Sequence, residues 1–426
     1  MEFNLINHNT SLASFTTKTN YVLSKNSYGR YFSEVFQSYF NHPKIGSSIE
    51  IQRPSENNGY ESFRVDDDRI SNDRWSWGYV DVTERTTVQP HPIDAWIKNA
   101  ENKDPCAPHD PPKPNFSAPG RRISETKCYE YMWELKVRDE QVQRMKACAI
   151  WLEEHANPNY IAPAIGGRIT EPGEFPHMGA IGWPAPTGTW VFKCGSTLIS
   201  SKFVLTAAHC SRASDRDPTI SDPVPKIVRL GDKNIIDVIS NDVLPTDAKI
   251  IKIIVHPKYT PPKKYNDIAL MELERDVTFS KYIQPACMWT KFDTSSLGTN
   301  ATLTGWGVVE TIGRTTSPEL QAAVVDVIDT NTCNQLLKPS CNRNWCGVED
   351  TQLCAGKLAG GVDACQGDSG GPLQVQIALP TKSQGCMHYV IGVTSFGIGC
   401  ALPNLPGIYS RVSMYLDWIE PIVWPQ

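Results

Sequence analysis

Ser369 lies in the run Asp363-Ala364-Cys365-Gln366-Gly367-Asp368-Ser369-Gly370-Gly371-Pro372-Leu373. An unperturbed serine hydroxyl is a poor nucleophile, so the run has chemical meaning only if a base, and a group to orient that base, come from elsewhere in the chain. Two segments supply them. Thr206-Ala207-Ala208-His209-Cys210 ends a short apolar run in an imidazole beside a cysteine, with Cys194 upstream, and an imidazole suits a general base near neutral pH. Asn266-Asp267-Ile268-Ala269-Leu270 places one carboxylate just before an apolar segment. Buried beside His209, that carboxylate would fix the tautomer and stabilise the imidazolium that forms. A serine in a glycine-rich turn or a histidine beside a cysteine is ordinarily structural; the meaning lies in all three together.

In the order His209, Asp267, Ser369, with TAAHC, NDIAL and GDSGGPL around them, the chain resembles the chymotrypsin-like serine proteases and, within them, the trypsin-like branch. The resemblance continues through Gly166-Gly167, Cys194-Gly195-Ser196, Gly305-Trp306-Gly307, Ser395-Phe396-Gly397, Pro406-Gly407-Ile408-Tyr409 and Asp417-Trp418-Ile419. It implies an endopeptidase with His209, Asp267 and Ser369 as the catalytic residues and the N–H groups of Gly367 and Ser369 as the oxyanion donors. Glycine at 367 permits the backbone conformation that aims its N–H inward.

By the same resemblance Asp363 is the floor of the primary specificity pocket, with Gly397 and Gly407 keeping its entrance open. A buried anion at the end of a slot selects Lys or Arg, because an unpaired charge there is costly. Ser395, Phe396 and Gly397 would bind extended substrate by strand-like pairing. Phe396 stands where tryptophan is commoner.

The chain carries 13 cysteines in 426 residues, which suits an oxidising, extracellular compartment better than metal binding. The resemblance implies bridges joining Cys194 with Cys210, Cys333 with Cys354, and Cys365 with Cys400. Cys287 sits where related zymogens tether a pro-region, with Cys128 the first choice of partner and Cys148 the second. Cys106, Cys148, Cys341, Cys346 and Cys386 are then left over; Cys341 and Cys346 can close a small loop, and Cys386 is a rival partner for either. Cys106 with His109 offers two metal ligands and no second pair, which argues against zinc.

Activation in the family frees an α-amino group that pairs with the acid before the nucleophile, here Asp368. The sequence Pro163-Ala164-Ile165-Gly166-Gly167 puts that new terminus at Ala164, after a proline, where few proteases cut. The pair Arg121-Arg122 is a second place to cut, suited to trimming rather than maturation.

Residues 174–178, 128–131 and 392–397 look like the snake-type proteases of arthropods, secreted zymogens of proteolytic cascades. The implied partners are protein substrates, an upstream activating protease and serpin-type inhibitors. No cofactor is implied, although Asp232, Asn234, Asp237 and Asp242 offer oxygens for calcium. A net charge of −5 and a pI near 6.0 supply no basic field for nucleic acid. The first 30 residues lack the apolar core of a secretory leader, and no stretch is long and apolar enough to span a membrane. The disulfide framework nonetheless favours secretion, and Asn9, Asn115 and Asn300 are glycosylation acceptors.

Residues 1–104 contain no cysteine and no sustained hydrophobic period, which predicts a low-order arm with at most a short helix at 93–99. Residues 105–163 are predicted to be a proline-rich extended linker followed by an amphipathic helix over 127–155, its stripe of Met132, Leu135, Val142, Met145, Ala149 and Leu152 packed on the catalytic domain. Residues 164–426 are predicted to be all-β: two six-stranded antiparallel barrels with a C-terminal helix near 414–423 and the catalytic groups in the cleft between them.

Overall fold

The computed structural model describes residues 105–107, 109–156, 173–235, 244–307, 317–360, 368–379, 384–398 and 402–425. The arm of residues 1–104 and its expected helix at 93–99 lie outside them.

The first helix of the described chain is α1 (Ile123–Ala156). Glu125 reaches back to accept from Arg122 N at 3.3 Å, satisfying one of the donors a helix start leaves open. The next six strands are β1 (Met178–Pro184), β2 (Trp190–Leu198), β3 (Phe203–Thr206), β4 (Ile227–Leu230), β5 (Thr246–Val255) and β6 (Ala269–Leu273). They close into a barrel in the order β1-β2-β3-β6-β5-β4. Short β-branched and leucine-rich runs broken by Gly and Pro form strands rather than helices, and closure leaves no exposed sheet edge. Ile181, Leu198, Leu205, Leu230 and Leu270 fill its interior with no solvent exposure.

The second half adds β7 (Cys287–Met288), β8 (Asn300–Gly305), β9 (Gln321–Ile328), helix α2 (Thr330–Leu337), β10 (Gln352–Gly356), β11 (Pro372–Gln376), β12 (His388–Phe396), β13 (Gly407–Arg411) and helix α3 (Leu416–Val423). Six of these strands close as β11-β8-β9-β10-β13-β12, the last pairing with β11. β7 attaches outside the barrel, parallel to β12. Leu303, Val325, Leu353, Leu373 and Tyr409 form its core. A further cluster joins Leu205 and Ile268 of the first barrel to Val393, Val412 and Ile419 of the second, so the two barrels share apolar surface. The expected two-barrel architecture and terminal helix are therefore present.

The proline-rich segment is extended, as expected, but it is no free linker: it runs back along α1. Cys106 is bridged to Cys148, Ala107 O accepts from Arg144 Nη2 at 3.0 Å, His109 Nε2 lies 2.9 Å from Glu140 Oε2, Lys113 pairs with Glu130 at 2.6 Å, and Phe116 stacks on Tyr129. Five disulfides form among the described residues, including the expected Cys128 with Cys287, Cys194 with Cys210, and Cys333 with Cys354. Cys341 pairs with Cys346, so Cys386 is the partner of neither. The bond from Cys106 to Cys148 excludes Cys148 as the tether and removes the thiolate that a zinc site would need.

Only the first half of α1 packs as expected. Cys128, Tyr131, Met132 and Leu135 are buried against Cys287, Ile377 and Met387. Beyond them the stripe leaves the body: Val142 is only half-buried, Ala149 is exposed and Met145 is 60% exposed, while the side chain of Leu152 lies outside what is described. Arg122 locks the near end onto α3 through Glu420 at 2.8 Å and Asp417 at 2.6 Å. Leu135→Ala should therefore cost about 2–5 kcal/mol of stability, whereas Met145→Ala should cost less than about 0.5 kcal/mol, as read from denaturant midpoints; equal losses would contradict this docking.

Beside β1, His177 is buried at 1% exposure and hydrogen-bonded to Gln374 Oε1, whose amide donates to Thr304 Oγ1 at 3.2 Å. Burial pushes the His177 imidazole down to about 4, against the partial upward pull of Gln374. The folded state thus holds this histidine neutral while the unfolded chain takes up a proton below about 6.5. Its contribution, about 3 kcal/mol, is complete above pH 6.5 and lost as pH falls toward 4. Thermal denaturation of the native chain across that window should show this loss and His177→Gln should flatten it; parallel curves for the two would refute the assignment.

Candidate active site

His209 follows β3 in a single tight turn (Ala208–Ser211), fixed by the neighbouring bridge from Cys210 to Cys194 on β2. Asp267 precedes β6, next to Asn266 in the left-handed region at φ 54°, a conformation asparagine tolerates. β3 and β6 pair directly, Thr206 opposite Ala269, so the sheet register brings the two side chains together. His209 Nδ1 lies 2.8 Å from Asp267 Oδ2, and His209 N donates to Asp267 Oδ1 at 2.9 Å.

The second barrel completes the shell. Ser395 Oγ on β12 donates to Asp267 Oδ2 at 2.6 Å, and Ser410 Oγ on β13 donates to the Asp267 carbonyl at 2.7 Å. Asp267 is only 2% exposed. Burial alone would raise its carboxyl, but the His209 ring, Ser395 and the His209 backbone N–H outweigh that and hold it below the ordinary carboxylate range. With Nδ1 spent on Asp267, the other ring nitrogen of His209 is left to exchange a proton.

Ser369 reaches the same junction through its backbone. Its carbonyl accepts from Gly195 N on β2 at 2.8 Å, Gly370 N donates to Thr394 O on β12 at 2.8 Å, and Thr394 N donates to Gly371 O at 2.9 Å. The 368–371 turn is thereby sewn to both barrels, with Cys210 Sγ 3.7 Å from the Ser369 carbonyl. Among the described residues the Ser369 hydroxyl forms no hydrogen bond, and such bonds commonly tighten only with substrate in place. Asp368 is 7% exposed and accepts from Gly307 N at 3.0 Å. A Cβ at Gly305 or Gly307 would collide with its carboxylate, so the Gly305-Trp306-Gly307 run is a cradle for that charge.

Of the other expected site residues, Phe396 is half-buried and meets Trp345 edge-on at 5.6 Å, Gly397 is exposed, and Gly407 is buried opposite Ala355 of β10. Asp363, Gly367, Ala164 and the pair Cys365 and Cys400 lie outside the described residues. Ser395 was expected only to bind substrate, yet its hydroxyl is committed to Asp267. Ser410 was not foreseen; a lone serine in Gly407-Ile408-Tyr409-Ser410-Arg411 was the only hint. Cys194, His209 and Cys210 cluster closely enough to suggest a metal, but the two sulfurs are joined in a disulfide and cannot ligate as thiolates. Of the expected calcium ligands, Asp232 faces Arg229 at 3.8 Å and accepts from Asn234 N at 3.0 Å; Asp237 and Asp242 lie outside the described residues.

The profile of the Trypsin family matches residues 164–419. The chain is similar to "Serine protease snk" of Drosophila melanogaster, 38% identical over 314 residues, covering 72% of this chain and 66% of that protein. It is 39% identical over 266 residues to "Serine protease Hayan" of the same organism, covering 61% of this chain and 39% of that protein. It is 35% identical over 267 residues to "Phenoloxidase-activating factor 3" of Holotrichia diomphalia, covering 60% and 71%. The chain thus spans less than two thirds of the two Drosophila relatives.

Gly370 occupies φ 79°, and a Cβ there would collide with Thr206 Oγ1 and come to 2.5 Å from the Gly195 carbonyl. Gly370→Ala should therefore unseat the turn that carries Ser369, at a cost of at least about 2 kcal/mol; a denaturation midpoint equal to that of the unmodified chain would show that the seam is not rigid.

Proposed function

Because the chain belongs to the trypsin family of serine proteases, we propose that it is a secreted zymogen whose matured form hydrolyses peptide bonds after Arg or Lys in an extracellular proteolytic cascade. The observation that carries this reading is the pairing of His209 with a buried Asp267 at the junction where the Ser369 turn is stitched to both barrels. The disulfides support an oxidising compartment, and no described helix is long and apolar enough to cross a membrane. A relative named as a phenoloxidase-activating factor supports a protein target.

In this mechanism extended substrate pairs along 395–397 and inserts a cationic side chain toward Asp363. Ser369 Oγ attacks the scissile carbonyl while His209 Nε2 takes the hydroxyl proton. The N–H groups of Gly367 and Ser369 hold the oxyanion. Collapse expels the amine, which leaves with the proton from His209, and an acyl group remains on Ser369. Water, deprotonated by the same nitrogen, then releases the acid and restores the serine. Asp267 stays ionised throughout, stabilising the imidazolium and keeping Nδ1 protonated.

Maturation requires an amino terminus to reach Asp368, and Ala164 is the residue in register for it. Alanine buries less apolar surface than isoleucine would, a weakening of roughly 1–2 kcal/mol. The Pro163-Ala164 junction is the one feature favouring a second reading, a silent homologue that binds partners through the same fold.

After confirmed cleavage at the junction, the protein should turn over an arginyl fluorogenic peptide and take a serine-directed phosphonate on Ser369. Asp267→Asn should lower kcat about 10⁴-fold, the size this orienting role carries in serine–histidine–aspartate enzymes, and Asp363→Asn should remove the preference for Arg over neutral residues. Cleaved protein with neither turnover nor label decides for the silent homologue.

A further inference from the structure

The strap runs opposite to α1, from Cys106 beside Cys148 to Phe116 beside Tyr129, so the chain ahead of the strap emerges where α1 has left the body. There α1 carries an apolar stripe that the described residues leave largely open. Val142, Met145 and Ala149 follow at spacings of three and four, which place them on one helical face. Val142 is half-buried, Ala149 is exposed and Met145 is 60% exposed. The strap occupies the neighbouring face, through Glu140, Arg144 and Cys148. Lys146, exposed at the border of the stripe, forms no ion pair among the described residues.

Just upstream of the strap the sequence holds a matching stripe. Ile93, Trp96, Ile97 and Ala100 recur three and four apart, the period of one helical face. Pro92 and Asp94 stand where a helix start favours proline and acid, and Pro105 stops continuation. Residues 93–100 lie outside the described residues, but only residues 101–105 separate them from Cys106, which is bonded to α1 at Cys148. Five residues reach at most ~17 Å, whereas Val142 and Cys148 stand ~9 Å apart along the helix axis, so the whole stripe is within range. Eight helical residues extend ~12 Å, close to the ~10 Å from Val142 to Ala149. A helix of two turns is unstable alone, but a tether this short sets an effective concentration on the order of millimolar, enough for a surface too small to hold a separate molecule.

We propose that residues 93–100 form a short helix that docks its stripe of Ile93, Trp96, Ile97 and Ala100 on Val142, Met145 and Ala149 of α1. The occupant of the open face is thus a segment of this same chain. Ala149 is small enough to admit an indole beside Met145, and a thioether against an aromatic ring is a favourable contact. Asp94 and Glu101 border the segment's stripe on one side and bring negative charge toward Lys146. Because Cys128 ties α1 to Cys287, the docked segment stays with the catalytic domain whether or not the chain is cut before Ala164.

Hydrogen exchange of the full chain, read by peptide mass, tests this. Amides of 96–100 should exchange at least about 10-fold more slowly than those of an unstructured chain. Met145→Asp on α1 and Ile97→Asp in the segment should each remove that protection. Gln143→Asp, a comparable loss of helix propensity at an exposed position away from the stripe, should keep it. Unchanged exchange of the β1–β6 amides shows that each variant is folded, and the denaturant midpoint stays put because such a segment opens on its own. Chain-like exchange of 96–100 in the unmodified protein, or protection that survives Met145→Asp, overturns the proposal. Protection of 142–150 that rises with protein concentration, together with a doubled mass in sedimentation, assigns the stripe to a second copy and overturns it as well.

Discussion

A carboxylate buried between two barrels governs this molecule. Asp267 is 2% exposed, and a charge so placed is tolerable only when its lone pairs are answered. The answers come from both sides: the ring and backbone of His209 in the first barrel, and the hydroxyls of Ser395 and Ser410 in the second. Removing a partner from a buried charge typically costs about 3–5 kcal/mol, more than a single apolar contact across the seam. Correct docking of the barrels and correct orientation of His209 are consequently one condition, since a barrel displaced by an ångström would leave the carboxylate unanswered.

The region ahead of the catalytic domain is organised by a related constraint. α1 by itself would expose most of an apolar stripe, so it is held by contacts of different kinds: the bridge from Cys128 to Cys287, burial of Met132 and Leu135, and Arg122 on Glu420 and Asp417. The proline-rich strap extends this hold to the part of α1 that leaves the body, ending at the bridge from Cys106 to Cys148. Arg122, one of the pair that looked open to trimming, is thus engaged in ion pairs that a cut beside it would disturb. Severing the chain at the proposed junction would leave the disulfide to Cys287 intact, so α1 would stay with the catalytic domain.

Much of the barrel architecture and of the His209 and Asp267 pairing was legible because local patterns carry it: short strands, an imidazole at a strand end, and an acid before an apolar run. Three of the bridges could be assigned by resemblance, including the tether at Cys287. What could not be read depended on long-range register. Nothing local distinguishes Ser410 from any other serine in a strand, and nothing in Cys106 names Cys148, because that pairing exists only once the strap has folded back on the helix. The stripe on α1 misled for a complementary reason: helical spacing shows which residues share a face, but it cannot show where the supporting surface stops, between Leu135 and Val142.

The link between Asp368 and Ser369 gives the proposed activation its physical logic. Both residues sit on one turn whose carbonyls and N–H groups are engaged by Gly195 and Thr394, while the Asp368 carboxylate is confined by the cradle at Gly305 and Gly307. Because Asp368 and Ser369 are adjacent on that turn, a displacement of the carboxylate would be felt by the backbone that positions Ser369. An incoming amino terminus would contribute mainly charge to this buried carboxylate and only secondarily apolar surface. Replacing isoleucine by alanine at that terminus forfeits roughly 1–2 kcal/mol, whereas losing the charge partner of a buried carboxylate costs about 3–5 kcal/mol. In the proposed activation the charge pairing, which is the stronger of the two effects, would survive at an Ala164 terminus. The unusual junction therefore weakens the proposed latch without abolishing it, and the rarer requirement becomes an activator able to cut after proline.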